Sequence, residues 1–171
     1  MPRKPKCIYF KNLKYAEENI ELITNNFSLI HFESPFKEDW NNCNDSENVE
    51  AIFCPLQGEF NGTTLKAFKK LRVLISNTTS IPHIDKDYAD ENGIAICALH
   101  DEPKFLDTIT PTSELTIGLM ICATRNIVTA SKAVRSGEWD RKDWGGEKML
   151  SRSTLGIVGY GRIGRHVAKI A

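Results

Sequence analysis

A chain of 171 residues is long enough for one domain with a sizeable core, or for one domain and part of a second. Lys and Arg number 22 and so do Asp and Glu, so the net charge is zero and nothing draws the chain generally to nucleic acid or to an anionic membrane. The opening MPRKPK is basic, but the apolar CIYF behind it is too short for a signal peptide and no run approaches a membrane span, which makes the cytoplasm the expected address.

The cysteines Cys7, Cys43, Cys54, Cys97 and Cys122 are scattered and include no C-x-x-C pair, which argues against a disulfide framework or a zinc ribbon. Four of them lie in apolar segments and are expected to be buried thiols.

Taken in order, Cys7 to Phe10 reads as a first strand, and Tyr15, Ala16, Ile20 and Ile23 recur at helical spacing. Phe27 to Phe32 is a second strand, and residues 34–48 have no clear period and read as a loop. Ala51 to Cys54 makes a third strand. A helix capped at Thr63 or Thr64 follows, carrying Leu65, Phe68 and Leu71. Val73 to Ser76 is a fourth strand, Asp85 to Asn92 a short helix ended by Gly93, and Ile94 to Cys97 a fifth strand. Strand and helix alternating at this spacing predict an α/β fold, a flavodoxin-like parallel sheet with helices on both faces.

Residues 98–109 read as a linker, with domains expected at 1–104 and 105–171. Thr110 and Pro111 open a helix expected to run to about Ser136, with Gly137 past its end. From Leu115 to Ala123 it is apolar almost all round, so it must be covered on every side, in part by a second subunit. Residues 138–153 hold Trp139 and Trp144 and read as an ordered arm.

Thr154 to Ala171, TLGIVGYGRIGRHVAKIA, organises the rest. Leu155, Ile157 and Val158 predict a buried strand, and Ile163, Val167 and Ile170 share one helical face. Between them stand Gly159, Gly161 and Gly164 in G-x-G-x-x-G spacing, the first for a tight turn, the second for backbone approach to a pyrophosphate, the third for close helix packing. The amides and positive end of the new helix then face phosphate, and Arg162 in the middle of the loop can reach phosphate oxygens. The ribose-binding acid of such a unit belongs about twenty residues further on, past Ala171, so the chain reads as the front part of a longer enzyme.

The corner Asn77-Thr78-Thr79-Ser80 follows the fourth strand, where open α/β sheets bind ligands. Its consecutive amides suit a carboxylate, and an ST-turn that satisfies its own backbone is an equal reading. His31, His83, His100 and His166 read as surface or packing residues. Cys97 and His100 have no second pair to complete a metal site.

These residues carry a resemblance. The order of a small α/β domain, TSELTIGLMICATRN, SGEWDRKDWGGEKM and TLGIVGYGRIGRHVA resembles the D-isomer-specific 2-hydroxyacid dehydrogenases, especially their phosphoglycerate dehydrogenase branch. LRVLISNTTSIPHIDKDYADENGIAI is similar to that family's segment crossing the substrate site. The resemblance implies hydride transfer between NAD, with NADP not excluded, and a D-2-hydroxy or 2-oxo acid. It also implies a Rossmann domain entered through its first helix and first βα unit, and a homodimer built on the helix at 110–136. Position by position, it implies that Thr78, Thr79 and Ser80 hold the substrate carboxylate and that Thr79 also nears the nicotinamide. It sets Gly159, Gly161, Arg162, Ile163 and Gly164 against the cofactor.

Two departures stand out. The family usually has glycine at Ser80, and many phosphoglycerate-type members have Arg-Ser where this chain has Pro55-Leu56, so an arginine fork for an anionic substrate is missing there. The family's catalytic arginine, glutamate and histidine come after the fingerprint, so no catalytic residue is expected in these 171 residues. A non-catalytic NAD-sensing or scaffolding protein on the same fold is the alternative.

Overall fold

The computed structural model describes residues 3–36, 39–146 and 149–171. The chain divides into two compact units, Met1–Pro103 and Lys104–Ala171.

The first unit is built on five parallel strands, β1 Lys6–Phe10, β2 Ser28–Phe32, β3 Val49–Phe53, β4 Val73–Ser76 and β5 Ala95–Ala98, in the order β2-β1-β3-β4-β5. That is the flavodoxin-like order, in which the direction of winding reverses beside β1. One row of the sheet runs Leu29, Cys7, Ala51, Val73, Ala95. Cys7, Tyr9, Ala51 and Phe53 pack on one face with Ile20, Ile23 and Phe27, while Ile8, Phe10, Ile52 and Leu74 pack on the other with Phe60, Leu65 and Phe68. Both faces are covered, which is why the strands read as continuous apolar runs rather than alternating ones.

Helix α1 is Glu17–Asn26, α2 Gly62–Leu65 and α3 Lys86–Glu91. The cap of α2 is Asn61 rather than a threonine: its side chain accepts from the amides of Thr63 and Thr64, and Thr64 Oγ1 accepts from the amide of Asn61. The helix is also shorter than expected, because Phe68 and Leu71 reach the core from tight turns, Phe68 N to Leu65 O and Leu71 N to Phe68 O. Asp85 caps α3 through the amide of Tyr88, and Gly93 follows it at φ 65°. The segment without a period, 34–48, seats Trp40 in the core, stacked on Phe68 at 5.7 Å and edge-on to Phe10.

The linker region is itself partly helical, since α4, Pro103–Leu106, straddles the start of the second unit. The long helix is two: α5 Pro111–Thr124 and α6 Ile127–Arg135. Asn126 stands between them at φ 50°, a left-handed conformation that asparagine tolerates and that no helix continues through. The far end is as read, with Gly137 at φ 88°. Leu115 and Leu119 on α5 are more than half exposed, so the described residues do not supply the all-round cover expected for this helix.

Residues 154–158 form no strand, and Val158 is fully exposed. A strand exists only through ladder bonds to a neighbour, and among the described residues the second unit offers none. Helix α7, Arg162–Ile170, follows, and Ser113 of α5 is buried with its hydroxyl donating to the carbonyl of Ile163.

Candidate functional site

Two constellations carry chemistry, one in each unit. In the first, β4 ends at Ser76 and the chain turns through Asn77 to Ser80 beyond the carboxyl edge of the sheet. Thr78 Oγ1 donates to the carbonyl of Ser80 at 2.6 Å, and the carbonyl of Thr78 accepts from the amide of Leu99 at 3.2 Å. The corner is therefore a hydroxyl-braced turn. Among the described residues nothing accepts from the amides of Thr79 and Ser80, and both residues are exposed. The brace and the anion site are not alternatives: the Thr78 hydroxyl holds the turn, and two main-chain donors remain for a ligand.

Behind the corner lies a feature that spacing did not reveal. His83 is 8 % exposed, its Nε2 is 3.3 Å from Ser76 Oγ, and Ser76 Oγ is 2.8 Å from Thr78 Oγ1. Burial pushes the His83 pKa below the ordinary value, offset in part by the Cys54 backbone. The sequence signal was present, since the strand end and His83 lie seven residues apart across one turn, but only the folded chain brings them together. At the end of β3, Leu56 is exposed, and Asn12 Nδ2 after β1 donates to Gln57 Oε1 at 3.2 Å.

In the second unit Gly159 stands at φ 88° and turns the chain toward α7. A Cβ on Gly161 would meet nothing within 4 Å, so the backbone there is open to approach. Gly164 packs so closely under the Gly159 carbonyl that a Cβ would overlap it. No side chain caps α7, and its first hydrogen bond runs from Arg165 N to Gly161 O at 3.0 Å, which leaves the amides of Arg162, Ile163 and Gly164 outside the helical ladder. The loop thus fits a diphosphate through main-chain donors and the helix dipole.

The guanidinium of Arg162 has another engagement. Its Nη1 donates to the carbonyls of Leu106, the last residue of α4, at 2.9 Å and of Ile109 at 2.8 Å. What Arg162 offers at the loop in this geometry is its amide.

The remaining candidates are quiet. His100 pairs with Asp101 on the surface at 3.1 Å, and His166 is half-buried on α7. All five thiols are free. Cys7 and Cys54 are buried, and burial raises the Cys7 pKa to about 12. Cys97, expected inside, is exposed because β5 is the edge of the sheet. Among the described residues no group of three His, Cys, Asp or Glu side chains could hold a metal ion, and no helix is long and apolar enough to cross a membrane.

A parallel sheet in flavodoxin-like order, followed by a glycine loop that opens onto an uncapped helix, defines a doubly wound α/β protein with a dinucleotide loop. Residues 117–171 match the NAD-binding domain of the D-isomer-specific 2-hydroxyacid dehydrogenases. The chain is 38% identical to a D-3-phosphoglycerate dehydrogenase of Methanocaldococcus jannaschii over 103 residues, 60% of this chain and 18% of that protein. It is 33% identical to a glyoxylate reductase of Thermofilum pendens over 124 residues, 70% of this chain and 35% of that one. It therefore spans about a fifth to a third of the length of these relatives. The NADPH-dependent glyoxylate/hydroxypyruvate reductase of Sinorhizobium meliloti, solved with NADP and malonate, has the same fold, with a TM-score of 0.73 at 20% identity over 98% of this chain and 50% of that one. Residues 117–171 are thus those of a D-isomer-specific 2-hydroxyacid dehydrogenase NAD-binding domain, and the cofactor such a domain takes is NAD.

Proposed function

We propose that the chain serves an oxidoreductase that moves a hydride between a nicotinamide dinucleotide and a D-2-hydroxy or 2-oxo acid in the cytoplasm. Residues 1–104 act as the substrate domain and 105–171 as the opening of the NAD-binding domain. Thr78, Thr79 and Ser80 take the acid's carboxylate through main-chain amides, with Thr79 also beside the nicotinamide. Gly159, Gly161, Arg162, Ile163 and Gly164 take the diphosphate. When bound, the dinucleotide accepts or gives the hydride. The groups that exchange the hydroxyl proton lie outside residues 1–171, so this chain's part is binding and orientation. The apolar face of α5 pairs with a second copy through residues 110–136, which supports a homodimer.

The observation that carries the reading is the glycine loop. Three glycines meet three separate demands, a positive φ at Gly159, open approach at Gly161 and close packing at Gly164, ahead of amides that nothing caps. A structural turn needs the first of these and has no use for the second.

Pro55-Leu56 stands where the resemblance expects Arg-Ser, so the arginine fork is missing, which favours a small acid without a distal phosphate. Calorimetric titration with NADH and then malonate tests the reading. Saturable NADH binding that Gly161→Val removes supports it. NADH binding that is unchanged by Gly161→Val contradicts it.

A further inference from the structure

We infer that His83 is a positioning residue for the carboxylate corner: its Nε2–H begins a one-way hydrogen-bond chain through Ser76 and Thr78 to the Ser80 carbonyl, fixing the turn that leaves the Thr79 and Ser80 amides to the ligand. Its bearing on substrate rests on the proposed role of Thr78 to Ser80. The chain itself does not.

The direction follows from counting protons. Three contacts are made in sequence, His83 Nε2 to Ser76 Oγ at 3.3 Å, Ser76 Oγ to Thr78 Oγ1 at 2.8 Å, and Thr78 Oγ1 to Ser80 O at 2.6 Å. A carbonyl accepts only, so the Thr78 hydroxyl proton belongs to the last contact. Thr78 Oγ1 is then the acceptor of the middle contact, and the proton there must be that of Ser76. With both hydroxyl protons assigned, the first contact has one source left, a hydrogen on His83 Nε2.

Two further observations agree. Nδ1 is buried and has no hydrogen-bond partner among the described residues. The opposite tautomer would leave a buried N–H without an acceptor, the costlier of the two orphans, whereas a bare lone pair is tolerated. The Cys54 backbone acts on the ring by holding its pKa up against burial, while no hydrogen bond to Nδ1 forms among the described residues. The ring itself is held in place: the edge of Phe60 meets it at 6.1 Å, and the amide of Phe60 donates to the His83 carbonyl at 2.8 Å.

The consequence is specific. Ser76, 4 % exposed, and His83 sit inside, while Thr79 and Ser80 sit outside, and Thr78 joins the two. The Thr78 hydroxyl gives its one proton to the Ser80 carbonyl and has none to donate to the acid. Recognition falls to the main-chain amides of the corner, and the setting of those of Thr79 and Ser80 depends on the braced Ser80 carbonyl.

Nitrogen-15 spectra of the imidazoles test the chain directly. At pH 7 His83 is expected as the neutral Nε2–H tautomer, and Thr78→Val is expected to raise the Nδ1–H share, because the Ser76 proton is then free to turn toward the ring. An Nδ1–H tautomer or an imidazolium in the wild type overturns the inference. Malonate titration followed at the Thr79 and Ser80 amides tests the positioning. Ser76→Ala and His83→Ala should each weaken binding roughly tenfold, while His83→Gln, whose Nε2–H replaces the donor, should stay within about threefold. Equal affinity in the wild type and in Ser76→Ala overturns the positioning role, even if His83→Ala fails to fold. A wild type whose two amides do not respond to malonate removes the proposed acid site, while the tautomer still decides the chain.

Discussion

The carbonyl oxygen of Gly159 occupies the space where a Cβ on Gly164 would stand. The first glycine of the loop turns the chain back at φ 88°, and the third accepts the resulting overlap by having no side chain. Gly164→Ala should therefore destabilise the second unit by about 1–3 kcal/mol, as overpacking does. Thermal unfolding followed by circular dichroism checks this, and an unchanged midpoint would show that α7 is free to move away.

Gly161→Val separates binding from folding. The position is open and its φ of −81° suits any residue, so the unfolding midpoint should not change. NADH affinity should fall by about tenfold or more, because a branched Cβ stands between the diphosphate and the amides. Fluorescence titration reads the affinity, and paired loss of fold and binding would count against an open site.

The buried ring of His83 makes stability depend on pH in a stated direction. Its native pKa lies below the unfolded value near 6.5, mainly through burial. As pH falls below that value the unfolded chain binds a proton that the native ring resists, so stability is complete above it and is lost on the way down to the native pKa. Urea unfolding at pH 7.5 and pH 5.5 should show this loss in the wild type, and His83→Gln should reduce it.

Leu74 lies on β4, between β3 and the edge strand β5, fully buried on the face shared with Phe60, Leu65 and Phe68. Leu74→Ala should cost the first unit about 2–5 kcal/mol, the range for a core leucine that leaves a cavity. Denaturant titration measures it, and a loss below about 1 kcal/mol would mean that the aromatic layer closes over the gap.

Much of this was legible because strands covered on both faces announce themselves as apolar runs, and Val73 to Ser76 was read to the residue. The turn at Gly93 and the glycines around 159–164 were legible because backbone demands leave few residue choices. What escaped depends on tertiary context. Trp40 looked like a loop residue because its partners Phe10, Phe60 and Phe68 come from three other segments. The break at Asn126 hides in an apolar pattern that would suit a continuous helix, and residues 154–158 have a strand's composition without a strand's neighbour. The link from His83 to Thr78 depends on a serine whose side chain points inward, which period alone does not tell.

The account turns on whether the amides at the start of α7 receive a diphosphate. Amide chemical shifts of the nitrogen-15-labelled chain, recorded while NAD is added, address this residue by residue. The largest shifts are expected at Gly161, Arg162, Ile163 and Gly164, saturating together and vanishing in Gly161→Val. Saturable shifts centred elsewhere, with these four amides unmoved, would contradict it.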